Sequence, residues 1–238
     1  MMTRVAATPT RKSEETRTRI LEAALALFRE RGFEKTTMRE IAQESDLALG
    51  AAYYYFDSKD ALVMGFYERA QHDLSPLLED ALAKTQGRGL EERLLATIDV
   101  KFQYFAANRK LLGALSAHID PQHPLSPFSE ETRAIRERDI AFLSAAVEGS
   151  KVRIPGDLKN HLPRVLWLYQ MGLMLFWVYD RSLDQRRTRE LFHKSLSIVV
   201  NLIRFSALPL MRPVRKLATD LFDIVYGEPE LSSPKASS

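Results

Sequence analysis

The chain has 238 residues, room for one large domain or two modest ones, and its 45% apolar and 27% charged content is that of a folded rather than a disordered protein. Lys and Arg total 34 against 31 Asp and Glu, a net charge of +3, which excludes a histone-like binder but leaves room for a local basic surface. Cysteine is absent, so disulfides, thiolate metal sites, Cys nucleophiles and thiol redox sensing are excluded.

Residues 1–13 are polar and basic, with no apolar stretch of the kind that opens a secretory signal. Together with the missing cysteines this points to a cytoplasmic protein. Ser13 is the expected cap of a first helix from Glu14 to Arg31. Ile20, Ala24, Leu27 and Phe28 share one face of it, and Gly32 stands where it stops. Thr37-Met38-Arg39-Glu40 has the T-x-x-E form of a capping box and predicts a second, two-turn helix with Met38, Ile41 and Ala42 inward. Ser45-Asp46 breaks it. A third short helix from Leu47 or Leu49 reaches Tyr55, and Asp57-Ser58 offers a cap for a longer helix toward Ala83.

Gly87-Arg88-Gly89 marks a turn. Leu94, Leu95, Ile98, Phe102 and Phe105 then fall at helical steps, and three prolines make 120–127 a loop. Residues 130–147 are amphipathic, with Ile135, Phe142 and Leu143 expected inward, and Pro155-Gly156 interrupts a further loop. Two strongly apolar helices are expected at 164–179 and 187–208, and a last one ends near Tyr226 before a polar tail. The uncharged run Val165–Tyr179 would be roughly 22 Å long as a helix. That is short of a bilayer core of about 30 Å, so a buried helix is expected and no membrane partner. Nothing alternates with the period of a strand, and the predicted fold class is all-α.

Residues 36–56, TTMREIAQESDLALGAAYYYF, have the grammar of a helix-turn-helix: two short helices, a tight turn, and small residues opening the second. Leu47 and Ala52 plug the angle between the helices. Gly50 and Ala51 let the second approach a groove closely. Tyr53, Tyr54 and Tyr55 are consecutive, so a helix cannot bury all three, and Tyr55 or Phe56 is expected in the core.

This unit resembles the tetracycline-repressor (TetR) family of bacterial regulators. The resemblance rests on ILEAALALFRERGFEKTTMREIAQ, on Gly50-x-x-Tyr53-x-Tyr55-Phe56 and on Ser58-Lys59-x-x-Leu62, about residues 18–63 in all. Three positions depart from the usual pattern. Asp46 replaces a common turn glycine, Ala48 a capping Ser or Thr, and Ala51 a Thr or Ser that often meets DNA. Asp46 is expected to cap the third helix instead, starting it one residue early. The resemblance implies phosphate contacts from Thr37, Tyr53 and Lys59, with Tyr54 also reaching DNA. No Arg, Asn or Gln lies between Leu47 and Phe56, so base reading would use apolar contacts from Leu49 and Ala51 to thymine methyls, plus Tyr54.

The resemblance further implies a larger helical second domain that binds a small effector and dimerises. The expected division is a flexible basic tail (1–13), a DNA-binding unit (14–63), an effector-binding and dimerisation domain (64–226) and a polar tail (227–238). Leu196, Val199, Val200 and Ile203 are the expected dimer contacts. Phe102, Phe105, Phe142, Trp167, Met171, Met174 and Trp177 either wall a cavity for an apolar or aromatic effector or are packed core. His118 is a candidate polar contact. No cofactor or metal ligand set is recognisable, and no G-x-S-x-G, phosphate loop or paired acid–base motif suggests an enzyme. The expected partners are double-stranded operator DNA, a small effector and a second copy of the chain. An all-α carrier or a protein-interaction module is the alternative, and it would lack sequence-selective DNA retention.

Overall fold

The computed structural model describes residues 11–226, so Arg4 of the expected basic tail and the tail from residue 227 lie outside the described residues. Eleven α-helices and no strands are found among them. They are α1 (Arg11–Arg31), α2 (Met38–Glu44), α3 (Leu49–Tyr55), α4 (Lys59–Lys84), α5 (Leu90–Phe105), α6 (Arg109–Leu115), α7 (Arg133–Glu148), α8 (Gly156–Lys159), α9 (Leu162–Tyr179), α10 (Arg186–Ser206) and α11 (Arg212–Tyr226).

Local signals place most of the boundaries. Thr37 and Glu40 close a reciprocal capping box at α2, with the Thr37 backbone N–H donating to Glu40 Oε2 at 2.8 Å and the Glu40 N–H donating to Thr37 Oγ1 at 3.3 Å. Ser58 Oγ accepts from the Ala61 N–H and starts α4. Gly87 takes a φ of +74° in the turn before α5, a conformation that costs glycine little. Two expectations are corrected. Ser13 lies inside α1 rather than capping it. The loop expected after residue 150 contains the short helix α8.

Two cores carry the chain. The first joins α1, α2, α3 and the start of α4 through Ile20, Phe28, Ile41, Ala52, Phe56 and Phe66, and it also takes in Leu111 and Leu115 from α6. The second gathers α5, α7, α9 and α10 around Leu94, Ile98, Leu143, Leu166, Phe192 and Val200. Ala70, Leu74 and Leu78 of α4 form a small third cluster, with Phe105 and Phe142 against it. α4 therefore runs from the first core to the second domain without interruption, across the boundary expected near residue 63. Leu143 is inward as expected, whereas Ile135 and Phe142 are only half-buried. No single described helix is long and apolar enough to cross a membrane.

α10 overturns an expectation. It is not uniformly apolar: charged positions accompany a buried apolar stripe and a separate outward apolar set. Thr188, Phe192, Leu196, Val200 and Ile203 recur at helical spacing and are buried within their own chain. Val199 packs half-buried on the same core. The four expected dimer contacts are thus turned inward, and the helix shows Ile198, Leu202 and Phe205 to the outside.

Arg93 holds the second domain together by an unusual device. The side chain is buried, and it donates to Leu82 and Thr85 carbonyls at the end of α4 and to Ala145 and Ala146 carbonyls at the end of α7, all within 3.2 Å. A cation thus satisfies carbonyls at two helix C-termini, where the helix dipoles favour positive charge. A Cβ added at Gly149 would collide with the Arg93 guanidinium, so a larger residue there would have to push Arg93 off these carbonyls. Arg93→Met is expected to lower folding stability by about 3–5 kcal/mol, because four carbonyls, one buried and three part-buried, lose a charged donor. Chemical denaturation measures this, and a loss within the error of the parent would show that the carbonyls find other donors.

Candidate DNA-binding unit and ligand cavity

The turn between α2 and α3 is built from the backbone outward. Ser45 is buried, and its hydroxyl donates to the Ile41 carbonyl at 2.7 Å. Asp46 follows with a φ of +52°, in the left-handed region that Asp tolerates better than most residues. Leu47 N–H then returns to the Ala42 carbonyl at 2.9 Å. This conformation corrects the role expected of Asp46. A residue bent into the turn does not cap α3; Ala48 is the N-cap, without a side-chain hydrogen bond, and the helix begins at Leu49.

α3 presents one face to the first core and the other outward. Ala52 and the following Phe56 are buried, and Leu49 and Tyr55 pack half-buried on the core. Tyr53 and Tyr54 are 47% and 82% exposed, and the Tyr54 ring stands edge-on to Tyr55 at 5.2 Å. Gly50 is exposed, and a Cβ there would meet nothing within 4 Å. Ala51 is half-buried beside it.

Thr37 and Lys59 are engaged within the chain. Thr37 is exposed, but its hydroxyl and N–H both donate to the Glu40 carboxylate. Those hydrogen bonds, with help from Arg31, hold the Glu40 carboxyl below its usual value. Lys59 Nζ donates to the Phe33 carbonyl at 2.8 Å and lies 4.5 Å over the Phe33 ring, tying α4 to the turn before α2. A lysine carries three donors, so it keeps at least one for a phosphate. Sequence reasoning passed over Lys35 and Arg39. Both are exposed beside Thr37, without an ion-pair partner among the described residues. Their place around the T-x-x-E box was the available signal.

The recognition helix is coupled to α4 by close packing. A Cβ on Gly65 would lie 2.9 Å from Phe56 Cε1, so α4 approaches the end of α3 only because residue 65 is glycine. Further along, Tyr67, Ala70, Gln71 and Leu74 of α4 line a cavity of about 200 Å³. Pro76 follows two residues after Leu74, and it withholds an N–H from the helix ladder.

Phe105, Trp167, Met171 and Met174 line this cavity. The other four candidates do not. Phe102 packs against Trp177 and Phe192 at 5.3 and 5.8 Å in the second core. Trp177, ten residues beyond Trp167, has turned roughly 80° around α9 and lies buried beneath Arg109. Phe142 covers the Ala70–Leu78 cluster. His118 stacks on His123 at 4.0 Å, away from the cavity wall.

One end of the cavity is polar, which the apolar periodicity concealed. Lys101 is 2% exposed, and its Nζ donates to Gln170 Oε1 and forms an ion pair with Asp139 Oδ2, each at 3.0 Å. Gln71 Nε2 reaches Asp139 Oδ1 at 3.4 Å. Lys101 continues the inward stripe of Leu94 and Ile98, and Gln170 interrupts the uncharged run of α9. A charge and an amide on buried helix faces were the missed signal.

Residues 20–64 match the family described as bacterial regulatory proteins, tetR family, and residues 93–220 match the tetracyclin repressor-like C-terminal domain. The probable HTH-type transcriptional regulator ArpR of Pseudomonas putida is 37% identical over 182 residues, covering 70% of this chain and 82% of ArpR. Salmonella enterica GusR superposes with a TM-score of 0.57 at 25% identity, over 82% of this chain and 98% of GusR. Thermus thermophilus FadR, a repressor solved in complex with lauroyl-CoA, gives a TM-score of 0.54 at 25% identity over 76% of this chain and 93% of FadR. A capped helix-turn-helix with an outward aromatic face, a shared long helix and a matching second domain agree on one conclusion: the chain belongs to the TetR family of ligand-responsive, DNA-binding transcriptional regulators.

Proposed function

We propose that this regulator is a homodimeric repressor that holds a two-fold operator and leaves it when a small effector fills the cavity. The observation that carries the reading is the course of α4. This helix starts directly behind the recognition helix and supplies Tyr67, Ala70, Gln71 and Leu74 to the cavity wall. A ligand that displaced its middle would move α3 through the Phe56–Gly65 contact. Two half-sites about 34–36 Å apart tolerate little change in the separation of the recognition helices. Ligand and DNA then oppose each other reciprocally, by about 1–3 kcal/mol.

In this reading the outward residues of α3 (Leu49, Gly50, Ala51, Tyr53 and Tyr54) meet the major groove, while Thr37, Lys59, Lys35 and Arg39 flank it as phosphate contacts. The dimer face is the apolar surface left by α9 and α10, where Leu175, Phe176, Ile198, Leu202 and Phe205 are exposed. The protein works in the cytoplasm, where operator DNA is reached directly. A carrier would leave the exposed tyrosines and the open flank of Gly50 without a role.

Selection from random duplex DNA tests the proposal. The expected result is a two-fold symmetric consensus, bound in a salt-dependent manner. No enrichment over unselected DNA would reject sequence-selective binding and favour the carrier.

A further inference from the structure

The charges around the cavity say which chemical class of effector it takes. Its apolar wall includes Leu74, Phe105, Trp167, Met171 and Met174, and its polar end holds Lys101, Arg136 and Asp139. Two cations face one carboxylate, which leaves the wall with one positive charge in excess. Lys101 and Asp139 pair with each other. Arg136 has no carboxylate partner among the described residues; its Nη1 donates to the Pro127 and Ser129 carbonyls at 2.8 and 3.2 Å. Arg136 and Asp139 are three residues apart on α7, so they are neighbours on one helix face. The uncompensated guanidinium therefore stands beside the Lys101 network.

The unused hydrogen-bonding capacity there is mostly donor. Lys101 donates one of its three N–H groups to Gln170 and is ion-paired with Asp139, so donor capacity remains on its ammonium. The Tyr67 hydroxyl and the Gln170 amide nitrogen have no hydrogen-bond partner among the described residues, and both residues line the cavity. Burial raises the Tyr67 phenol above its usual value, which keeps it protonated and able to donate. The first turn of α7, at Thr132, Ile135 and Arg136, also faces the cavity, and a helix N-terminus favours an anion. A volume of about 200 Å³ holds the equivalent of roughly seven waters and falls below the range usual for drug-sized ligands. One ring or a short chain with a head group fits within this space.

We propose that the effector is a small apolar monocarboxylate, its hydrocarbon body against Trp167, Met171 and Met174 and its carboxylate beside Arg136 and the free donors of Lys101 and Tyr67. This rests on the cavity being the effector site of a DNA-releasing regulator.

Benzoate, phenylacetate and hexanoate are the probes, each compared with its uncharged amide, and hexanoyl-CoA is included for size. Trp167 lines the cavity, so intrinsic fluorescence of the full-length protein follows binding. At least one acid is expected to bind about tenfold more tightly than its amide, the difference a charge-assisted pair makes. Arg136→Gln is expected to abolish the preference, whereas Arg136→Lys, which retains the charge, keeps most of it. Equal affinity for acid and amide overturns the proposal, as does a preference that survives Arg136→Gln. Failure of every acid to bind, or tighter binding of the thioester, also overturns it. Operator release is measured separately by fluorescence anisotropy of labelled DNA. Acids that bind without releasing DNA leave the ligand class standing and reject the repressor reading. Amides that bind and release DNA as well as the acids do reject the ligand class and leave the repressor reading standing.

Discussion

Replacing Tyr53 and Tyr54 together with alanine is expected to weaken operator binding by at least about a hundredfold while the thermal midpoint stays within error of the parent. Both rings are exposed, so their removal opens no cavity in the chain. An exposed aromatic at the centre of an interface commonly contributes about 2 kcal/mol, and a dimer presents each ring twice. A hundredfold loss corresponds to about 2.7 kcal/mol, well within what two such rings supply. Lys59→Ala is a poorer test, because its ammonium also holds the Phe33 and Glu34 carbonyls and its loss would disturb the turn itself. Gly50→Ala makes a sharper companion. Its added methyl meets nothing within the chain and removes a flexible residue from α3, so folding stability should rise by up to about 1 kcal/mol. Against DNA the same methyl obstructs close approach, and affinity should fall. Anisotropy with the selected operator at matched salt reads both variants. Unchanged affinity in the double tyrosine variant would remove α3 from the DNA interface.

Leu202→Glu is expected to convert the proposed dimer to a monomer and to reduce operator affinity by a factor of about 100 or more. Leu202 is 62% exposed on the outward face of α10, so the monomer has room for a carboxylate. At a two-fold interface the same substitution occurs twice and buries like charges near each other, at a cost of several kcal/mol. One recognition helix then binds a single half-site. Light scattering should return about 27.2 kDa for the variant and twice that for the parent. Val200→Glu separates the two faces of the helix. Val200 is fully buried in its own chain, so a charge there should unfold the second domain rather than dissociate a folded dimer. A Leu202→Glu variant that remained dimeric would move the interface away from α10.

Most of what depends on neighbours within about four residues was legible in the sequence by itself, the Ser13 cap excepted. The T-x-x-E box at Thr37, the Ser58 cap and the turn at Gly87 each close a hydrogen bond or satisfy a backbone angle locally, and the helical periodicity follows from the same short range. That at least one of Tyr53, Tyr54 and Tyr55 must face outward belongs to this class too, because three consecutive residues cannot share one helix face; that Tyr53 and Tyr54 are the exposed pair came from the packing. Asp46 marks the edge of it: the break at Ser45-Asp46 was visible, but whether the residue capped or turned was decided by a φ of +52° that the buried Ser45 and the Ile41 core impose. Tertiary packing alone decided which of two apolar faces of α10 is core, since Val200 and Leu202 are equally apolar and differ only in which side meets Leu94, Ile98 and Leu166. It decided likewise which aromatics surround space and which fill it, because Phe102 and Phe105 belong to one helix but meet different neighbours. The polar end of the cavity was the least legible feature. Lys101, Asp139 and Gln170 are joined by contacts between residues up to 69 positions apart, and only the packing of α5, α7 and α9 brings these charges close enough to compensate one another out of water.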